Sequence, residues 1–205
     1  MYSTASADAP FEWRHYGADP HNTKFAPLDQ IDSTNVDRVR MVWRWRSDED
    51  DIIANESPGM RLGPNKSTPI QVGRALYTVT SLSILVALDA ATGEELWTFD
   101  PESWRAKENW GWHRGPAYWS AGEEERILFG TVDAYLYSVD AKTGKPDSSF
   151  GDSGRIDLTQ GLGGPVDREA FKAMSPPIVL GDLVAVGGFR QGLSGQEIDG
   201  LHAAW

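Results

Sequence analysis

The sequence predicts an all-β protein, a β-propeller assembled from four-stranded units of about 50 residues each. Three observations lead there. Leu85-Val86-Ala87-Leu88-Asp89-Ala90-Ala91-Thr92-Gly93 returns 51 residues later as Leu136-Tyr137-Ser138-Val139-Asp140-Ala141-Lys142-Thr143-Gly144. The stretch Ser67 to Tyr77 returns as Ser175 to Ala185, an offset of 108 residues and about twice the first period. The chain of 205 residues holds 21 Gly, 12 Pro and 9 Trp, which suits frequent turns between aromatic-rich strands, and no stretch sustains a period of 3.6. A β-sandwich also joins short strands by turns, but its strands need not resemble one another.

Each unit follows one grammar. A strand opens behind a proline: Pro69-Ile70, Pro116-Ala117 and Pro177-Ile178. A glycine or charged turn leads to an apolar strand, Ala75 to Val79 in the first unit and Arg126 to Gly130 in the second. The third strand runs into an aspartate, Asp89 or Asp140, and an Asp-x-x-Thr-Gly turn follows. That turn has a mechanism, because aspartate caps free amides and glycine accepts a positive φ. Glu95-Leu96-Trp97-Thr98-Phe99 then reads as the fourth strand. The acidic run Asp48-Glu49-Asp50-Asp51 and the stretch Gly161 to Ala173 read as loops, the second with a helical turn from Asp167. The end of the chain, Gly200 to Trp205, reads as another third strand. A propeller needs about 4–8 blades, and three to four are visible, so residues 1–205 are expected to form the N-terminal part of a single, longer propeller domain.

Composition excludes several classes. Nineteen Lys and Arg against 30 Asp and Glu give a net charge of −11, which argues against a nucleic-acid partner. The absence of cysteine excludes disulfides, thiolate metal sites and thiol nucleophiles. No apolar run approaches the ~20 residues of a membrane span, and the first ten residues lack the basic and apolar regions of an intact signal peptide.

The pattern Ala87-x-Asp89-x-x-x-Gly93-x-x-x-Trp97 resembles the tryptophan-docking repeat of the quinoproteins, the pyrroloquinoline quinone (PQQ) dehydrogenases. The opening Trp13-x-x-Tyr16-Gly17-Ala18-Asp19 through Ile31, the segment Asn35-Val36 with Val42-Trp43-Arg44-Trp45, and His113-Arg114-Gly115-Pro116-Ala117-Tyr118-Trp119 are similar to further signatures of that family. Phe150 to Leu158 and Ser175-Pro176-Pro177 fit as well. The glucose-dehydrogenase-like branch is the nearest.

The resemblance implies an eight-bladed propeller with PQQ and a calcium ion near its axis. It implies a periplasmic oxidoreductase that oxidises a sugar or alcohol CH–OH group and passes electrons to a quinone or cytochrome acceptor. The general-base aspartate would fall beyond Trp205, so no catalytic residue is assigned here and the chain alone is expected to be inactive. Docking repeats also occur in non-enzymatic propellers, and the alternative is a scaffold in outer-membrane protein assembly. Arg114 matches the family arginine that contacts the cofactor, and a guanidinium fork suits an anionic tricarboxylate. Thr131 aligns with a threonine that contacts a PQQ carboxylate, or it is an ordinary strand threonine. Lys66 stands where many relatives carry an acid; it contacts the anionic cofactor or is a solvated loop lysine. Gly187 and Gly188 correspond to small residues beneath the cofactor. No acid follows them until Glu197 and Asp199, so no metal ligand is assigned. Trp110 and Trp112 are candidates to line the substrate entrance, or pack structurally, in a segment where the methanol-type branch carries adjacent cysteines. Ser148 takes the docking tryptophan's place in the second unit.

Overall fold

The computed structural model describes residues 11–106, 113–162, 166–168, 171–173, 175–190 and 201–204. The first blade is an antiparallel meander of β1 (Ile70–Val72), β2 (Ala75–Val79), β3 (Leu85–Asp89) and β4 (Glu95–Phe99). The second blade is the same meander in β5 (Ala117–Ala121), β6 (Glu124–Gly130), β7 (Tyr135–Asp140) and β8 (Arg155–Asp157). A short pair, β9 (Phe171–Lys172) with β12 (Phe189–Arg190), lies beside a third sheet of β10 (Ile178–Leu180), β11 (Leu183–Gly187) and β13 (Leu201–Ala204). Two complete blades and the first three strands of another therefore follow the sequence repeat. The register repeats too: Val79 pairs with Leu85 in the first blade and Gly187 with Leu201 in the third sheet.

Why the repeat reads so strongly is clear from packing. A blade is covered on both faces, so its inner strands alternate between two apolar layers. In β3 all five residues are buried. Leu85 and Ala87 face a cluster with Tyr118, Ile127, Phe129, Tyr137 and Val139 of the second blade. Val86 and Leu88 face the other way, with Leu82, Ile84 and Trp104 against Trp43, Trp45, Ile52 and Ile53. Leu128 and Leu136 of the second blade meet Phe150, Phe171, Val184 and Val186 on its far side. Phe150 stands two residues from Ser148 and is buried in that layer, so an aromatic supplies the packing although the docking tryptophan is missing.

The blades are latched by repeated joints. The Trp97 ring lies on Gly144 and its indole N–H donates to the Ala141 carbonyl at 3.1 Å. Trp43 does the same one step earlier, lying on Gly93 and donating to the Ala90 carbonyl at 3.1 Å. Both glycines have positive φ, 73° and 69°, and a Cβ at either would stand 2.5 Å from the ring above it. Asp89 and Asp140 close these turns by accepting the amides of Ala91 and Thr92, and of Lys142 and Thr143.

One expected loop is a helix. The acidic run opens α1 (Glu49–Glu56). Acids in a first turn complement the helix dipole, and Ile52 and Ile53 supply the face that packs on the first blade. Glu49 is itself buried, accepting the Leu82 amide at 2.6 Å. In the stretch Gly161 to Ala173, Phe171 and Lys172 form β9 rather than loop, because Phe171 is fully buried in the layer between blades. The Phe171 amide donates to the Asp167 carbonyl at 3.1 Å, the bond of a helical turn. Among the described residues no helix is long and apolar enough to cross a membrane.

Candidate functional site

In an antiparallel meander the start of the first strand and the turn between the second and third lie at the same end of the sheet. Lys66 precedes β1, Arg114 precedes β5, Thr131 begins the β6–β7 turn and Gly187 ends β11. Topology therefore puts these candidates on one rim. Three contacts tie that rim together between the first two blades. The Thr68 amide donates to the Arg114 carbonyl at 2.9 Å. His113 Nε2 and Ser83 Oγ are 2.6 Å apart. The Val132 amide donates to the same Ser83 oxygen at 3.4 Å.

Arg114 is exposed, on a backbone held between buried neighbours. Gly115 explains how closely the blades approach: a Cβ there would stand 2.4 Å from the Thr68 carbonyl oxygen. Lys66 is exposed two residues from Thr68 in sequence. A guanidinium and an ammonium thus share a rim joined by one backbone hydrogen bond. Guanidinium and ammonium donors suit anionic oxygens, so Arg114 and Lys66 could hold an anionic cofactor.

Thr131 has a different situation. It is fully buried, its hydroxyl donates to the Asp133 carboxylate, and its oxygen accepts the Tyr135 amide at 3.2 Å. Thr80 repeats the arrangement in the first blade, accepting the Ile84 amide at 3.2 Å. The threonine staples the turn at each blade. Gly187 is exposed, with open space where a Cβ would stand. Gly188 is required by packing, since a Cβ there would lie 2.2 Å from the Phe171 ring. Trp110, Trp112, Glu197 and Asp199 lie outside the described residues, and among the described residues no group of three or more acids or histidines is placed to hold a metal.

His113, which the sequence offers only as a polar contact within the Arg114 segment, has a defined partner in the fold. It is fully buried, and burial lowers its pKa to about 4, so the ring is neutral near neutral pH. Its partner Ser83 has a φ of 66°, in a turn fixed by the Ser83 amide bonding to the Thr80 carbonyl. No spacing in the sequence marks this pair, because the residues are 30 apart and come from different blades.

Comparison with known proteins agrees with this architecture. The family model described as the β-propeller domain of PQQ glucose/ethanol/alcohol dehydrogenases matches residues 13–205. The quinate/shikimate dehydrogenase (quinone) of Acinetobacter baylyi is 29% identical over 197 residues, which cover 85% of this chain and 24% of that protein. The quinoprotein glucose dehydrogenase of Escherichia coli is 30% identical over 207 residues, 93% of this chain and 25% of its own length. The chain therefore spans about a quarter of the length of these relatives. Among solved structures, the quinohemoprotein alcohol dehydrogenase from Comamonas testosteroni superposes with a TM-score of 0.66 at 24% identity, over 87% of this chain and 23% of that one. The superposition speaks to fold.

Proposed function

The chain belongs to the β-propeller family of PQQ-dependent glucose, ethanol and alcohol dehydrogenases, and from that membership we propose that it forms the cofactor-binding rim of a periplasmic dehydrogenase acting on a sugar or alcohol. Residues 1–205 are read as part of a single propeller domain. The bound PQQ supplies a two-electron quinone acceptor for hydride from the substrate carbon, and Ca²⁺ is the metal of the proposal. A quinone or cytochrome is the proposed electron acceptor.

The chain's own residues bind and orient. Arg114 offers a planar fork of donors to carboxylate or quinone oxygens. Lys66 adds a positive charge at the same rim. Thr131 contributes through the turn it staples, since its hydroxyl is already engaged. Gly187 leaves room at the equivalent strand end of the third sheet, with Gly188 behind it against Phe171. The observation that carries the reading is the Thr68–Arg114 hydrogen bond, which brings the two cation-bearing segments together.

PQQ titrated into the protein with Ca²⁺, followed by quinone absorbance, tests it. Binding is expected to weaken at least about tenfold in Arg114→Ala, the scale of a lost charge-assisted hydrogen bond. Unchanged affinity in that variant removes Arg114 from the site. In a polypeptide of the relatives' length that carries this chain, the expected activity is dye-linked oxidation of an aldose or alcohol. No PQQ binding with the fold intact would sink the enzyme reading in favour of a scaffold.

A further inference from the structure

We propose that His113 is a positioning residue for Arg114: its neutral imidazole, hydrogen-bonded to Ser83, fixes the segment that presents the guanidinium, and protonation of the ring releases that segment. The inference rests on the reading of Arg114 as a cofactor ligand, and its test separates the two.

The geometry is a three-way junction. Ser83 Oγ accepts the Val132 amide and lies 2.6 Å from His113 Nε2, to which it donates its own hydrogen in the tautomer protonated at Nδ1. The imidazole then joins the β2–β3 turn of the first blade to the segment entering the second, and the serine oxygen joins both to the β6–β7 turn. One residue further on, the Arg114 carbonyl receives the Thr68 amide. Arg114 is exposed, while His113 and Gly115 on either side of it are buried. An exposed side chain on a backbone anchored at both neighbours keeps its freedom at the guanidinium and loses it at Cα, which lowers the entropy cost of binding an anion.

Protonation breaks this junction for a chemical reason. An imidazolium donates at Nε2 instead of accepting, so the Ser83 hydroxyl must turn round and its hydrogen loses this partner, and a charge is left in a dry site. Among the described residues, the charged and titratable groups on the surrounding segments include Lys66 before β1, Arg114 beside the histidine, Asp133 in the β6–β7 turn, Arg168 on the Asp133 carbonyl and Glu49 under the Leu82 amide. Asp133 is occupied by the Thr131 hydroxyl and Glu49 by the Leu82 amide and the Ser47 hydroxyl. Burial is the cause of the low basicity of the ring, with no charged neighbour contributing among the described residues.

The test uses two readouts across pH 4 to 8. The first is the amide exchange protection of Thr68 without PQQ, normalised for the intrinsic pH dependence of exchange. The second is PQQ affinity in the presence of Ca²⁺. In the wild-type protein Thr68 protection is expected to fall at least tenfold as pH drops from 7 towards 4, and PQQ affinity about twofold by pH 4, where about half of the rings are protonated. His113→Gln, which keeps a neutral hydrogen-bonding side chain, should hold both nearly flat over that range. His113→Ala, and Ser83→Ala where the histidine variant fails to fold, should show low Thr68 protection at every pH. Arg114→Ala should lose PQQ and keep wild-type Thr68 protection. If no variant binds PQQ while Thr68 protection follows this pattern, the positioning role stands and the cofactor reading falls. Equal Thr68 protection in wild type, His113→Gln and Ser83→Ala at all pH values overturns the proposal.

Discussion

Trp97 and Gly144 make the joint between the two complete blades with one ring, one hydrogen bond and one absent methyl. Trp97 is half-buried, so Trp97→Ala should cost about 2–3 kcal/mol, below the ~3–5 kcal/mol of a fully enclosed aromatic. Gly144→Ala meets both a positive φ and the ring at 2.5 Å, whereas Gly122→Ala has a φ of 60° and open space. The first should exceed the ~1–2 kcal/mol expected of the second, and chemical denaturation of both variants checks the ordering. His113 adds a pH term. Its folded pKa, about 4, lies below the unfolded value near 6.5, so the unfolded chain binds the proton first. Stability contributed by the neutral ring is complete above about pH 6.5 and is lost as pH falls towards 4, by as much as ~3 kcal/mol. His113→Gln should flatten that part of the pH–stability curve. Of these residues, Trp97, Gly93, Gly144, Asp89 and Asp140 were legible in the sequence because their spacing repeats. The His113–Ser83 pair was not, because a contact between blades leaves no local period.

At the scale of elements, strand order and register follow the repeat. β2 and β3, and again β6 and β7, lie where the apolar runs and the Asp-x-x-Thr-Gly turn put them, because the turns on either side of β3 and β7 fix the register of each hairpin. The failure was α1. Its acids obscured the two isoleucines, and a helix of 8 residues offers little periodicity to detect. Its tie to the first blade is the Glu49 carboxylate under the Leu82 amide. Glu49→Ala should leave that buried amide unpaired and destabilise by about 1–3 kcal/mol. Faster exchange of the Leu82 amide, with the second blade unaffected, would locate the damage. Thr131 teaches the complementary lesson. Position in a motif was readable, but which partner its hydroxyl takes depends on Asp133 and Tyr135 in a turn whose geometry only the fold supplies.

Across the whole molecule, the apolar clusters alternate with the blades: one before the first, one between first and second, one between second and third. Such an array couples nearest neighbours, so the two tryptophan joints should contribute independently. Trp43→Ala and Trp97→Ala are expected to combine additively within about 0.5 kcal/mol in denaturant unfolding; a larger coupling would mean that the blades act as one cooperative block. The candidate rim belongs to this scale as well. Thr68, two residues after Lys66, and Arg114 are 46 positions apart in the chain and meet only because consecutive blades present the same end to the same side.

The sameness of the two joints also bears on the order in which the chain is made. A tryptophan that fits one Asp-x-x-Thr-Gly turn fits the next, so Trp43 has two acceptors once the chain reaches Gly144. During synthesis the right one appears first: the turn at Gly93 emerges 51 residues before the turn at Gly144. At ~5–20 residues per second that is a lead of roughly 3–10 s. A chain refolding from denaturant has no such lead, and its blades can latch one place out of step before they correct.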